Sequence, residues 1–353
     1  MGRRLAAVLV VIGVGTLNAT PGSTCTTVCL LENDRAVVAY NYDFYPSEGL
    51  VLVNKRGTSK KSWVEPQGAS WAARHGSVTF NQFGRDNPTT GVNEKGLMVS
   101  LMWLNGTEYP PADDRPAIGI LEWIQYHLDT NATVAEVVAT AGSFRPTSTT
   151  PIHYLFADAS GDTAVIEFLE GKLIVYRRDT MPIKALANST YAHSVAAFKT
   201  FEETGVLPAE EAKTKGPTPG FGSLDRFVRG AMLSPAKGDP VAHGFAILSE
   251  VQQGITRWSI IYDLNAGEVH FKTDTNSEIR RFSVAEFDFS CRTPVQVLDL
   301  TAPGSGLVQT VFANYTTAAN RALLESSLKG RPNTFIEKIV THPDLTSACM
   351  NGD

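Results

Sequence analysis

The junction at Cys25 constrains this chain more than any other feature. Before it, Met1-Gly-Arg-Arg carries two positive charges, Leu5 to Leu17 is apolar apart from glycines and one threonine, and Asn18 to Thr24 is small and polar. That is the three-part layout of an export signal, which is removed from the mature protein. A helix needs about 20 apolar residues to span a bilayer, and this run is too short for an anchor. After the junction, Cys25-Thr-Thr-Val-Cys-Leu-Leu-Glu reads as a strand, Asn33-Asp34 as a turn and Arg35 to Tyr42 as a second strand. The mature chain therefore starts on a hairpin whose first residue is a cysteine. Thr24 is too large and polar for the residue that precedes a lipidated cysteine, and ordinary signal cleavage also favours a small residue there. The expected maturation is a cut near Ala19 to Ser23 followed by trimming to Cys25.

Composition narrows the class. With 353 residues, 43% apolar and 19% charged, the chain can bury a large core, which excludes a disordered protein. Losing the 24 leading residues, two of them Arg, leaves 329 and moves the net charge from −5 to −7. No basic run exceeds a pair such as Lys60-Lys61, so the electrostatic footprint of a nucleic-acid binder is missing. The four cysteines (Cys25, Cys29, Cys291, Cys349) are too few for a bridge-held scaffold and lack the short paired spacing of a structural zinc site. No His-x-x-x-His pair occurs either, so no metal and no cofactor is expected. In an exported protein, Cys291 and Cys349 are equally open to a disulfide and to two free thiols.

The rest of the chain alternates strands and helices. Leu50-Val-Leu-Val-Asn, Ser77 to Phe83 and Leu97 to Trp103 continue the strand pattern, and Ile118, Leu121, Ile124 and Leu128 then recur at helical spacing. Thr133-Val-Ala-Glu136 fits a capping box for a second helix. Three strands follow (Ile152 to Asp158, Thr163 to Leu169, Lys172 to Tyr176), divided by turns at Ser160-Gly161 and Glu170-Gly171. Pro208 to Gly222 reads as a surface loop, and Ser223 as the N-cap of a helix over Leu224 to Leu233. Ser259 to Asp263 and Glu268 to Lys272 form a further hairpin, and Gln309 to Val340 alternates helical runs with loops. This order suggests sheets covered by helices, an α+β architecture in one domain over residues 25–353.

Six motifs occur in sequence: Cys25-Thr-Thr, Asn41-Tyr-Asp43-Phe, Gly91-Val-Asn93-Glu-Lys-Gly-Leu97, Asn188-Ser-Thr, Asp225-Arg226-Phe-Val-Arg and Thr256-Arg257-Trp. Together they resemble the linear-amide C–N hydrolases of the choloylglycine hydrolase family, which includes penicillin V acylases and conjugated bile acid hydrolases. The resemblance implies an αββα Ntn-hydrolase sandwich, two antiparallel sheets between helix layers, with Cys25 as nucleophile. It further implies that Asp43 holds the amine and thiol of that cysteine, that Asn93 and Asn188 polarise the substrate carbonyl, and that Arg226 is the cation near the thiol. Tyr40 departs from the pattern, since the family usually has Arg there. Arg56, Arg85 and Arg257 are the candidates to replace that charge.

The chemistry of these residue types agrees with that implication. Amide hydrolysis needs a nucleophile, a base and donors for a tetrahedral oxyanion. A thiol of pKa about 8.5 is mostly protonated at neutral pH, whereas an α-amine near 7.7 to 8.0 is a usable base, so a terminal cysteine carries both. The competing readings are a buried strand cysteine at Cys25 (the expectation for Cys29), turn residues at Asp43 and Asn93, a glycosylation sequon at Asn188, and a solvated first-turn Arg226. A Cys/His pair using His153 or His193 lacks any surrounding signature. The expected partner is a small acyl amide, recognised by loops carrying Phe44, Tyr45 and Tyr109, which suit an apolar or aryl acyl group; penicillin V, conjugated bile acids and N-acyl homoserine lactones all fit. No stable membrane association is expected, a homo-oligomer is allowed, and the location is secreted or periplasmic. An exported binding protein that kept the fold without catalysis is the reading from another class, suggested by Tyr40.

Overall fold

A computed structural model describes residues 24–32, 35–206, 222–235 and 238–350. The leader, the Asn33-Asp34 turn and nearly all of the 208–222 loop lie outside them. The chain begins with β1 (Thr26–Glu32), β2 (Arg35–Tyr42), β3 (Leu50–Asn54), β4 (Thr58–Lys61), β5 (Ser70–Ala72), β6 (Ser77–Asn81), β7 (Thr90–Asn93), β8 (Met98–Trp103) and β9 (Ala117–Gly119). Helices α1 (Ile120–Thr130) and α2 (Val134–Thr140) lead into β10 (Arg145–Thr147), β11 (Ile152–Ala157), β12 (Thr163–Leu169), β13 (Lys172–Arg177) and β14 (Ala185–Leu186). Next come α3 (Tyr191–Thr204), α4 (Ser223–Leu233) and α5 (Pro240–Glu250), then β15 (Trp258–Asp263), β16 (Glu268–Thr273), β17 (Arg280–Ser283), β18 (Gln296–Asp299), β19 (Gly306–Leu307) and β20 (Ala313–Asn314). The last elements are α6 (Thr317–Ser327), α7 (Asn333–Thr346) and β21 (Ala348–Cys349).

Two mainly antiparallel sheets form the centre. One has the order β14-β1-β2-β15-β16-β17-β19, the other β13-β12-β11-β8-β7-β6-β3-β18-β20. In β2 every residue from Ala36 to Tyr42 is buried, without the alternation of a half-exposed strand. Such a run needs cover on both faces. On one side α4 packs on β1 and α5 on β2 and β15; on the other lies the second sheet. Polar side chains bridge the sheets: Thr27 and Ser100 hydroxyls pair at 2.9 Å, Tyr42 donates to Gln82 at 2.7 Å, and Thr90 and Tyr262 hydroxyls pair at 2.9 Å. Helices α1 and α2 cover the second sheet, giving the expected αββα layering.

Local chemistry accounts for several boundaries. Thr133 Oγ1 accepts the Glu136 N–H at 3.2 Å, as the sequence pattern suggests, but Glu136 accepts from the N–H of Ala132, one residue before the cap, so the reciprocal half of the expected capping box is displaced by one residue. Helix α4 begins one residue earlier than its sequence pattern suggests, with Gly222 as cap, because the Ser223 hydroxyl accepts the Asn188 N–H at 2.8 Å. Cys25 and Cys29 are free and buried, while Cys291 and Cys349 are disulfide-bonded with Cα atoms 5.8 Å apart.

Helix α4 reaches β1 closely at Gly230, where a Cβ would stand 2.6 Å from Val28 Cγ2. Substituting Gly230→Ala forces the helix off the strand. Denaturant unfolding should show a loss of about 1–3 kcal/mol; an unchanged midpoint would mean the contact relaxes freely.

Candidate active site

Cys25 stands immediately ahead of β1, and the hairpin register pairs Thr26 with Asn41, which sets Asp43 beside it. The Asp43 N–H points at Cys25 Sγ at 3.5 Å. Strand β15 completes the surroundings: Trp258 pairs with Tyr42, the Arg257 N–H donates to Tyr42 O at 2.8 Å, and the Thr256 hydroxyl donates to Asp43 Oδ1 at 2.5 Å. Thr24 Oγ1 donates to the other carboxylate oxygen at 3.4 Å. Asp43 thus fixes both the residue before the thiol and the thiol itself.

Arg226, in the first turn of α4, is fully buried. Its Nη1 donates to Cys25 O at 2.8 Å and to Thr26 Oγ1, and its Nη2 donates to Asn188 Oδ1 at 2.8 Å. Asn188 in turn donates from Nδ2 to Trp103 O at 2.8 Å, at the end of β8. Tyr40 lies under the thiol: its hydroxyl donates to Leu101 O at 2.9 Å and is within hydrogen-bonding reach of Cys25.

Burial dominates the electrostatics. It pushes the Cys25 thiol up to about 12; the Asp43 charge adds to that rise, and the Asp43 N–H, the Tyr40 hydroxyl and Arg226 oppose it. Burial also raises the Asp43 carboxyl to about 7, against the pull of Arg226, Thr256, Thr24 and Arg257. With residue 24 attached, burial keeps the thiol protonated.

A cleft partly open to solvent has Cys25 in its wall. Tyr42, Phe44, Leu101, Trp103 and Ile120 line it on the side of the main core, with Trp63, Phe83, Leu328, Phe335 and Ile339 among the other lining residues. Of the sequence candidates, Cys25, Asp43, Asn188 and Arg226 form one hydrogen-bonded constellation and Phe44 lines the cleft. Three others are elsewhere. Asn93 gives both amide hydrogens to Leu128 O (2.9 Å) and Asn131 O (2.7 Å) and accepts from Lys95 and Leu97 N–H, so it has no donor left for a substrate carbonyl; it lines a separate cavity with Tyr262 and Leu264. Tyr45 is 50% exposed on the surface under the Arg257 guanidinium, 3.9 Å from its ring centroid. Tyr109 packs behind the wall on Phe168, with its hydroxyl donating to Thr150 O at 3.0 Å. The candidate replacements for a cation at position 40 pair elsewhere, Arg56 with Glu94, Arg85 with Asp344 and Arg257 with Asp274. Trp103, Trp63 and the α6–α7 residues had no sequence signal of their own, because only tertiary contact brings them to the thiol.

Two antiparallel sheets between helices, with a buried cysteine leading the first strand of one sheet, define the Ntn-hydrolase fold. Within that class the chain belongs to the choloylglycine hydrolase family of linear amide C–N hydrolases, whose model matches residues 25–297. It is 30% identical over 189 residues to the penicillin V acylase of Pectobacterium atrosepticum, across 46% of this chain; the match spans about half (48%) of that relative's length. The penicillin V acylase structure from Agrobacterium tumefaciens superposes with a TM-score of 0.70 at 26% identity, over 83% of this chain and 98% of that one. A mutant of the conjugated bile acid hydrolase from Clostridium perfringens shares the fold, with a TM-score of 0.61 at 16% identity over 80% and 98% of the two chains.

The Asp43 carboxyl predicts a pH signature. Its folded value near 7 lies above the ordinary 3.8, so between those values the folded chain holds a proton that the unfolded chain lacks, and stability falls as pH rises through that window. Asp43→Asn removes this dependence. In the chain that retains Thr24, the melting temperature of the variant relative to wild type should rise from pH 4 to pH 7; a constant difference would mean that the carboxyl is not buried as described.

Proposed function

We propose that this protein is an exported amidase that cleaves a linear N-acyl amine through a thioester on Cys25, with removal of residues 1–24 making Cys25 the amino terminus. The observation that carries this reading is the convergence on one buried cysteine of Asp43, Asn188 and Arg226, each from a different element. The α-amine freed at Cys25 takes the thiol proton, and the resulting ammonium, with Arg226, favours the thiolate. Sulfur attacks the acyl carbonyl. The developing oxyanion takes the second Nδ2 hydrogen of Asn188, whose orientation Arg226 and Trp103 O hold in advance. Collapse breaks the C–N bond, the leaving amine takes the proton from the ammonium, and the acyl group stays on sulfur. Water then attacks the thioester with the amine as base, releasing the acid and restoring the thiol. Asp43 positions the ammonium throughout. A penicillin V acylase or bile acid hydrolase type of substrate is the reading its relatives support, and a secreted or periplasmic location follows from the leader.

Mass spectrometry of active, exported protein should give Cys25 as the first residue, and any other terminus in active enzyme would defeat the mechanism. Cys25→Ala should lower kcat at least about a thousandfold, and Cys29→Ala should leave it near wild type because Cys29 is buried away from the constellation. Equal losses would identify the wrong thiol.

A further inference from the structure

The cleft at Cys25 has two apolar walls of different origin. Leu101, Ile120 and Ile152 belong to the main core. Leu328, Phe335 and Ile339 come from the end of α6 and from α7, and they pack in a separate apolar cluster with Phe83, Leu324 and Val340. Phe44 and Leu121 touch both clusters, so the cleft is the gap between two cores that meet at those residues. Trp63 joins the second wall, its ring edge-on to Phe335 with centroids 6.5 Å apart. The helical part of this wall, Leu328, Phe335 and Ile339, lies past residue 297, outside the part matched to the family, whereas Trp63 and Phe83 lie within it.

The α6–α7 helical hairpin and the segment after it are fastened to the body at several points. Arg85 pairs with Asp344 at 2.9 Å, His342 Nε2 donates to Lys61 O at 2.7 Å, Ser347 Oγ donates to Asp86 at 3.1 Å, and Cys349 is bonded to Cys291. It is therefore a built surface facing the thiol.

We propose that the α6–α7 hairpin sets the acyl-chain length that the cleft accepts. Leu328, Phe335 and Ile339, with Trp63 and Phe83, receive the far end of an unbranched aliphatic acyl group whose carbonyl lies at Cys25. This rests on the amidase reading above. Cys25 belongs to the main-core cluster and not to the second one, so an acyl group held by its carbonyl would cover the main-core wall first, and only a longer chain would reach the second cluster. Each further methylene buried there is worth about fourfold in affinity. Arg331 also lines the cleft, so a chain ending in a carboxylate is the alternative to be separated.

Binding of product acids tests this without turnover. In the Cys25→Ala protein, calorimetry should show decanoate binding at least about a hundredfold tighter than butanoate. Phe335→Ala should reduce that ratio about tenfold or more, and Leu328→Phe, which fills space without opening a cavity, should shift the preference toward the shorter acid. The ratio of kcat/KM for decanoyl and butanoyl amides in the Cys25 enzyme should move in parallel, with melting temperatures confirming folded variants. A ratio unmoved by both substitutions, or tighter binding of decanedioate than of decanoate, would overturn the proposal. Length-dependent binding that follows the hairpin in a protein that hydrolyses no amide would keep the wall and reject the amidase reading. Amide turnover with a length preference indifferent to the hairpin would do the reverse.

Discussion

The buried guanidinium of Arg226 is the interaction on which the site depends. A cation without water is tolerable only where acceptors surround it, and here Cys25 O, Thr26 Oγ1 and Asn188 Oδ1 serve that purpose. Those three acceptors belong to the start of β1 and to the segment leading into α3, while the cation comes from α4. One charge therefore fastens three segments around the Cys25 sulfur, and it also offsets part of the cost of burying Asp43. Arg226 sits in the first turn of its helix, where a cation opposes the helix dipole. Its bonds to β1 and Asn188 explain the placement, and the close approach of α4 at Gly230 keeps the guanidinium within reach.

Tyr40 takes on a physical role in the same frame. A hydroxyl there brings no charge to the thiol, yet it donates to Leu101 O on the second sheet and stays within reach of Cys25. The thiol thus sits between two sheets whose relative placement depends on such cross-sheet bonds. Cation, carboxylate and hydroxyl all converge on it, and burial still holds the proton on sulfur while residue 24 is attached. On the proposed maturation, an amine at that position would supply the missing base, which would link processing of the chain to its chemistry.

Much of the fold was legible in local pattern: the opening hairpin, the capped start of α2, the strands from 152 to 177, and α4 each follow from neighbouring residues. The order of short motifs pointed to Asp43, Asn188 and Arg226, which the structure brings together around Cys25. Asn93 was misplaced because Gly-Val-Asn-Glu-Lys-Gly looks the same whether its amide faces a substrate or ties down its own turn; the carbonyls of Leu128 and Asn131, some 35 residues on, decide that. Tyr45 and Tyr109 show the same limit from the other side, since an aromatic on a loop beside the site faces solvent or the core according to contacts that no local pattern encodes. The second cleft wall is the extreme case. The 309–340 region reads as helical runs, but nothing in its periodicity says that Phe335 meets Trp63.

The central claim is that the sulfur of Cys25, held by the Arg226 and Asp43 contacts, is the atom that receives the acyl group. Acid-quenching the matured enzyme during turnover of a slow N-acyl amide, followed by peptide mass mapping, tests it most directly. The account predicts an acyl mass increment on the amino-terminal peptide, located on Cys25 and lost on treatment with hydroxylamine. Turnover without any adduct, or an adduct on another residue, would contradict it.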